Sequence, residues 1–415
     1  MTTLAVRHRL FYGWLVVAAA FAVTFVGFGS AYTFSAFIEP LQQAFGASRG
    51  AVSLVFSLAG FLYFALGIVS GPLADRWGAR RLAMAGMLLV GAGLATAGVA
   101  RTITEVYLAY GLGVGLGVGC AYVPAVGAVQ RWFIKRRGLA SGLAVSGIGV
   151  GTLAMPPLAA MLIDMLGWRG AYLTLGAMAA MLGAAASLLL ENDPRRLGLA
   201  PEGQPLQGHA EMSSQGGDVS VRDAVRSRQF VSLYAACLIS SFGVFVPFVH
   251  LVPHARDLGV PPGAAVMLLG VIGVGSTAGR FVLGGLADRM GRQRFLMAMF
   301  IAMAMALMIW ALATGWRMLA AFAFVFGTCY GGWVAVLPAV VMDRFGGRNV
   351  SGIIGALYTS VAFGTLVGPS AAGYAFDASG SYAWPILAAV CANLVAAGIL
   401  ALASRQAKPT GGKPA

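Results

Sequence analysis

The chain has 415 residues, of which 59% are hydrophobic and 10% charged, whereas a soluble domain carries about 45–50% apolar and about 25% charged residues. A mean hydropathy of +0.81 and 58 glycines in no G-X-Y period exclude a polar-shelled soluble enzyme, a collagen and a disordered tract. The net charge of +14 lies in short Lys/Arg clusters between apolar runs, without the interleaved aromatic residues of a nucleic-acid surface, so no nucleic-acid partner is expected.

A membrane helix needs roughly 20 apolar residues, at about 1.5 Å each, to cross about 30 Å of hydrocarbon. In chain order such runs occupy 12–37, 51–73, 82–100, 104–129, 138–163, 169–190, 230–253, 263–286, 295–314, 317–341, 349–374 and 382–403. The first is too long for the apolar core of a signal peptide and lacks a small-residue cleavage site. Between the sixth and seventh lies a stretch rich in Pro, Gly, Ser and charge, from Glu191 to Gln229. It reads as a cytoplasmic linker between two six-helix units, 1–190 and 230–403, with 404–415 as a tail. Of 28 Lys and Arg, only Arg49, Arg101, Arg169, Arg256 and Arg317 fall in the loops or at the span ends on one side, and only Arg280 falls in the body of a span. The positive-inside rule then puts both termini in the cytoplasm of a multi-pass protein of the inner (plasma) membrane.

The two units repeat one another. GPLADRWGARR from Gly71 matches GGLADRMGRQR from Gly284, an offset of 213. The same shift carries Gly151-Thr152-Leu153 and Pro156 onto Gly364-Thr365-Leu366 and Pro369, and Asp164 and Gly167 onto Asp377 and Gly380. Related copies in parallel topology are what six crossings per unit allow.

On these residues the chain resembles the major facilitator superfamily, whose signature is the G-x-L-A-D-R-x-G-x-x-R loop after spans two and eight. The resemblance implies an all-α integral membrane protein, twelve helices in two pseudo-symmetric six-helix bundles. A narrower likeness rests on Tyr12-Gly13-Trp14, on RWFIKRRGLASGLAVSGIGVG from Arg131 to Gly151, on PHARDLG from Pro253 to Gly259, and on the arginine in STAGRFVLGGLADR. These are similar to the monocarboxylate porter and oxalate/formate antiporter branch, which implies secondary transport of small organic anions, often with a proton. Asp75, Arg76, Arg80 and Arg81 with Asp288, Arg289 and Arg292 are then a candidate gating network at the cytoplasmic side, or, for the arginines, ordinary positive-inside anchors.

None of the 14 acidic residues and none of the lysines falls mid-span. Arg280, eight residues before Asp288, sits about 12 Å up its helix, near the bilayer midplane. A charge there must face a cavity or a partner, and a guanidinium fork matches a carboxylate. Arg280 is therefore the candidate carboxylate anchor; pairing with backbone carbonyls or with Asp257 is the alternative. One central cation suits one negative charge, and span eleven lacks the lysine that complements the dianion in oxalate-type relatives, so a monocarboxylate is favoured.

Ser276, one turn from Arg280, with Tyr32 and Phe28 on span one, Tyr122 on span four, Tyr330 on span ten and Phe363 on span eleven, are candidates to shape the site. In animal-type relatives an aspartate precedes the span-eight arginine by four residues and a lysine sits late in span one. Here those positions are Ser276 and Tyr32, so the candidates for proton coupling are His250 and Asp257 near the outer end of span seven; a purely structural role is the alternative for His250 and for His254, one turn away, which reads as readily as an interfacial residue.

Cys120, Cys237, Cys329 and Cys391 are far apart within apolar runs, giving neither a disulfide framework nor a metal site. No cofactor is expected, and no nucleophile–base pair for an enzyme. The expectation is a monocarboxylate–proton symporter working as a single chain in the lipid bilayer. An organic-anion antiporter, a lipophilic drug exporter and a transporter-like membrane sensor are the alternatives.

Overall fold

The computed structural model describes residues 11–133, 137–192, 194–199, 219–345 and 350–406, and among them there is no strand. The N-terminal half holds α1 (Tyr12–Tyr32), α2 (Phe34–Phe45), α3 (Arg49–Ala65), α4 (Gly67–Trp77), α5 (Ala79–Gly98), α6 (Ile103–Val106), α7 (Gly113–Trp132) and α8 (Arg137–Leu188). The C-terminal half holds α9 (Val221–Arg226), α10 (Arg228–Val244), α11 (Val246–Asp257), α12 (Pro262–Met290), α13 (Arg292–Ala311), α14 (Trp316–Phe345), α15 (Val350–Ser379) and α16 (Ala383–Gln406).

Eleven segments among the described residues are long and apolar enough to cross a membrane. One of them, Leu139–Leu188, is 50 residues long, about 75 Å of helix against about 30 Å of hydrocarbon. It is two crossings, broken at Gly167, where φ is +69°. The twelve crossings expected from hydropathy are thereby accounted for, with the break where 138–163 gives way to 169–190.

The duplication is written into the backbone as well as the sequence. Six of the seven described glycines with left-handed φ form pairs, Gly46 and Gly259, Gly78 and Gly291, Gly167 and Gly380, with Gly198 standing alone. Each pair is separated by 213 residues, so the chain turns by the same left-handed step at the same three places in both halves.

Packing inside each half depends on small residues that let helix backbones touch. A Cβ on Gly331 would stand 2.1 Å from the Ser276 carbonyl oxygen, and one on Gly279 would stand 2.1 Å from that of Thr328. In the other half, Gly86 and Gly117 bring α5 onto α7 in the same way.

The halves meet along two seams. In one, α3 and the start of α4 run beside α15, from Gly50 against Gly373 to Ile68 against Gly355. In the other, α8 runs beside α12, with the backbones of Gly149 and Gly273 in contact.

Candidate functional site

Arg280 lies on α12 and is 6% exposed, which answers the expectation that a midplane guanidinium cannot face lipid. Its Nη1 donates to the Val145 carbonyl oxygen on α8 at 3.2 Å, while Nε and Nη2 have no hydrogen-bond partner. Those two nitrogens form one edge of the guanidinium, the edge whose parallel N–H groups match the two oxygens of a carboxylate. One turn away, the buried Ser276 Oγ is also without a partner. Asp257 does not pair with Arg280; it is committed to Arg49.

A cluster of aromatic rings lies near Arg280. Tyr32 and Tyr330, from opposite halves, share a hydroxyl–hydroxyl hydrogen bond of 3.3 Å. Tyr32 stacks on Phe248 with centroids 4.6 Å apart, and Phe28 presents its ring to Tyr63 at 5.4 Å and to Tyr122 at 5.0 Å. Tyr330, Tyr122, Tyr32 and Tyr358 all come within electrostatic reach of Arg280. Sequence reasoning thus finds Arg280, Ser276, Tyr32, Phe28, Tyr122 and Tyr330 in one cluster. It misses Tyr63, Tyr358 and Trp333, which join them with the Tyr63 hydroxyl and the Trp333 indole N–H unpartnered. A signal for Tyr63 exists, since the repeat offset carries it onto Ser276.

Phe363 is not part of the cluster. It is 48% exposed and packs against Phe61 at 5.6 Å, because its position on α15 turns it to the outer edge of the α3–α15 seam. The structure corrects that expectation.

His250 and Asp257 are also drawn elsewhere, into a junction of the two halves at one end of the molecule. The Arg49 guanidinium donates to both Asp257 oxygens, at 2.7 and 2.8 Å, and to the Tyr382 hydroxyl at 3.2 Å. The Asp377 carboxylate accepts from the backbone N–H groups of Arg49 and Gly50 at 3.2 and 2.9 Å. An acid of one half thereby caps the first turn of α3 in the other. His250 is fully buried among these groups and contacts Tyr382, Pro369 and Ser53. A second ion pair, Arg256 with Glu39 at 3.0 Å, crosses the halves at the same end. Burial pushes the phenol of Tyr382, in the turn before α16, well up, so it keeps its proton.

The opposite end differs. The side chains of Asp75 and Asp288 lie outside the described residues. Arg76, Arg81 and Arg289 are exposed, Arg80 reaches Glu191 at 3.4 Å and the Leu190 carbonyl at 3.0 Å, and Arg292 pairs with Asp343. These two described ion pairs each stay within one half of the molecule and its adjoining segment.

Two bundles with a repeated backbone, twelve crossings and, among the described residues, one buried arginine narrow the comparison with known proteins. The family model described as Major Facilitator Superfamily matches residues 19–314 and 231–415. The chain belongs to the major facilitator superfamily. Within it, the chain is 31% identical over 402 residues to monocarboxylate transporter 11 of Mus musculus, covering 93% of this chain and 86% of that one. It is 29% identical over 391 residues to monocarboxylate transporter 13 of Bos taurus, covering 94% and 88%. It is 31% identical over 377 residues to monocarboxylate transporter 3 of Rattus norvegicus, covering 89% and 75%.

A solved structure of a bacterial homologue of the human lysosomal transporter Spinster superposes with a TM-score of 0.74 at 17% identity, covering 98% of this chain and all of that one. At that identity the match speaks for the major facilitator fold alone. The chain is a membrane transporter and not an enzyme.

Proposed function

We propose that this transporter carries a small monocarboxylate together with a proton, by alternating access of a central site to the two membrane faces. The carrying observation is the open edge of Arg280: two N–H donors on a buried guanidinium with no partner of their own. Unpaired donors so deep in a protein are costly, and an incoming carboxylate satisfies both at once. The absence of lysine and of acid from the mid-span positions leaves one positive charge for one negative charge. The names of its relatives, monocarboxylate transporters 11, 13 and 3, agree with that charge count.

Proton coupling is supported by the branch resemblance. The arginine distribution over the loops supports an orientation with both termini in the cytoplasm and the Arg49 junction on the opposite face of the plasma membrane. A single chain carries both halves of the site, which supports a monomeric carrier.

The test is uptake of radiolabelled monocarboxylates into proteoliposomes. Accumulation rises with an inward proton gradient and collapses when an uncoupler is added. Uptake that ignores both treatments but is stimulated by preloaded organic anion would replace symport with exchange.

A further inference from the structure

The hydrogen bonds at the Arg49 junction fix where its protons are. Pro369 offers only a carbonyl oxygen, so the 2.8 Å contact makes Nε2 of His250 the donor. The hydroxyl of Ser53 is already spent on the Arg49 carbonyl at 2.6 Å, so its oxygen is what faces Nε2 at 3.4 Å. On the other side of the ring, Tyr382 lies 3.0 Å from Nδ1. The Tyr382 oxygen accepts from Arg49, which can only donate. The phenol proton therefore goes to Nδ1, and that nitrogen is an acceptor. The ring closed into this junction is the neutral Nε2–H tautomer, and both of its nitrogens are used.

A second proton has no place in that arrangement. It would set Nδ1–H against the O–H of Tyr382, whose oxygen already faces the Arg49 guanidinium, and would bring an imidazolium into electrostatic reach of the same arginine. The acids nearby are engaged: Asp257 holds Arg49 in a two-oxygen pair, and Asp377 is bound to the α3 amides. Glu39 on α2 is paired with Arg256. His254, one turn along α11, accepts at Nδ1 from the Trp310 indole at 2.7 Å, so it too is closed in as an acceptor on that side.

We propose that this junction is a proton-gated latch: the halves close at the Arg49 end around neutral His250 alone, and protonation of His250 opens it. The histidine is then a gate that sheds its proton on closing, not a carrier that travels charged with the substrate. The inference builds on the reading of the chain as an alternating-access transporter but is independent of what Arg280 binds. Linkage gives the sign. The closed latch binds fewer protons than the open one, so acid favours opening, by up to about tenfold per pH unit below the ordinary histidine value of about 6.5.

The experiment measures opening directly, without substrate. In the full chain with Cys120, Cys237, Cys329 and Cys391 replaced by alanine, a Ser57→Cys probe is placed on α3. Ser57 is fully buried and hydrogen-bonded to Ser370 across the seam at 2.8 Å. Its labelling by a charged methanethiosulfonate in nanodiscs is normalised to an exposed Gln43→Cys control at each pH.

The expected result is labelling about tenfold faster at pH 5.5 than at pH 8, a slope abolished by His250→Gln and retained in His254→Gln. Tyr382→Phe, which removes one hydroxyl, shifts the midpoint to higher pH. A flat profile in the parent, a His250→Gln variant that keeps the slope, a slope lost with His254→Gln, or an unmoved midpoint in Tyr382→Phe overturns the latch. Because uptake is never read, loss of the carboxylate reading would leave this result standing, and the converse holds.

Discussion

The two halves share a backbone plan yet differ in what they place on it, and matched positions show how. Asp377 caps the α3 amides of Arg49 and Gly50. Its repeat counterpart Asp164 is exposed, and the counterpart of Arg49 is Pro262, which has no amide hydrogen to give. His250, wired into the junction, corresponds to Phe37, which stacks face to face on Tyr172 with centroids 3.9 Å apart. Arg280 corresponds to Gly67, which packs close to Val123. The duplication preserved turns and contacts that steric fit demands, and the loop charges Asp75/Asp288 and Arg76/Arg289 stand in both copies, whereas Arg280 and His250 stand in only one. Polar chemistry in lipid is costly wherever it is not used, so asymmetry of charge over symmetry of backbone marks the working parts.

The comparison can be broken most severely at Arg280. Arg280→Lys keeps the charge but loses the two-pronged edge, and uptake is expected to fall by about tenfold or more, the scale of losing one charge-assisted hydrogen bond. Wild-type uptake by the lysine variant would exclude recognition through the fork.

Next in size, Gly331→Ala forces a Cβ into the Ser276 carbonyl and should cost about 1–3 kcal/mol, as overpacking does. A lower melting temperature and a smaller monodisperse fraction on size exclusion would report it. Gly398→Ala, with nothing near its Cβ position, should leave both unchanged.

The sharpest contrast between the halves comes from Asp377→Asn against Asp164→Asn. The first removes the negative charge and one acceptor oxygen from an inter-half helix cap, worth about 0.3–1 kcal/mol, and should speed labelling at Ser57→Cys about two- to fivefold; the second should do nothing. Equal effects would dissolve the asymmetry.

The smallest effect is expected for Arg256→Gln, which removes a partly exposed ion pair worth about 0–1 kcal/mol. Its influence on labelling should vanish in high salt.

Much of this was legible in the sequence because hydropathy and repetition are one-dimensional signals. The spans, the break near Gly167 and the pairing of Asp164 with Asp377 all follow from residue order. So does Arg280, since an arginine within an apolar run has few physical options. What order does not show is helix rotation. Tyr63, Tyr358 and Trp333 come from helices whose inward face is set by neighbours not adjacent in sequence, and Phe363 was assigned inward for want of that phase. Arg49 served only to set sidedness, because its partners Asp257 and Asp377 lie more than 200 residues away.

The bare contact of Gly149 with Gly273 has a mechanical consequence. With no side chain between the two backbones there, a rocking of the halves about the α8–α12 seam would use it as a fulcrum. Arg280 is seven residues along α12 from Gly273, about 10 Å, a short lever arm. Any swing of one half about that fulcrum moves the guanidinium little, while groups at the far ends of the helices sweep wider arcs.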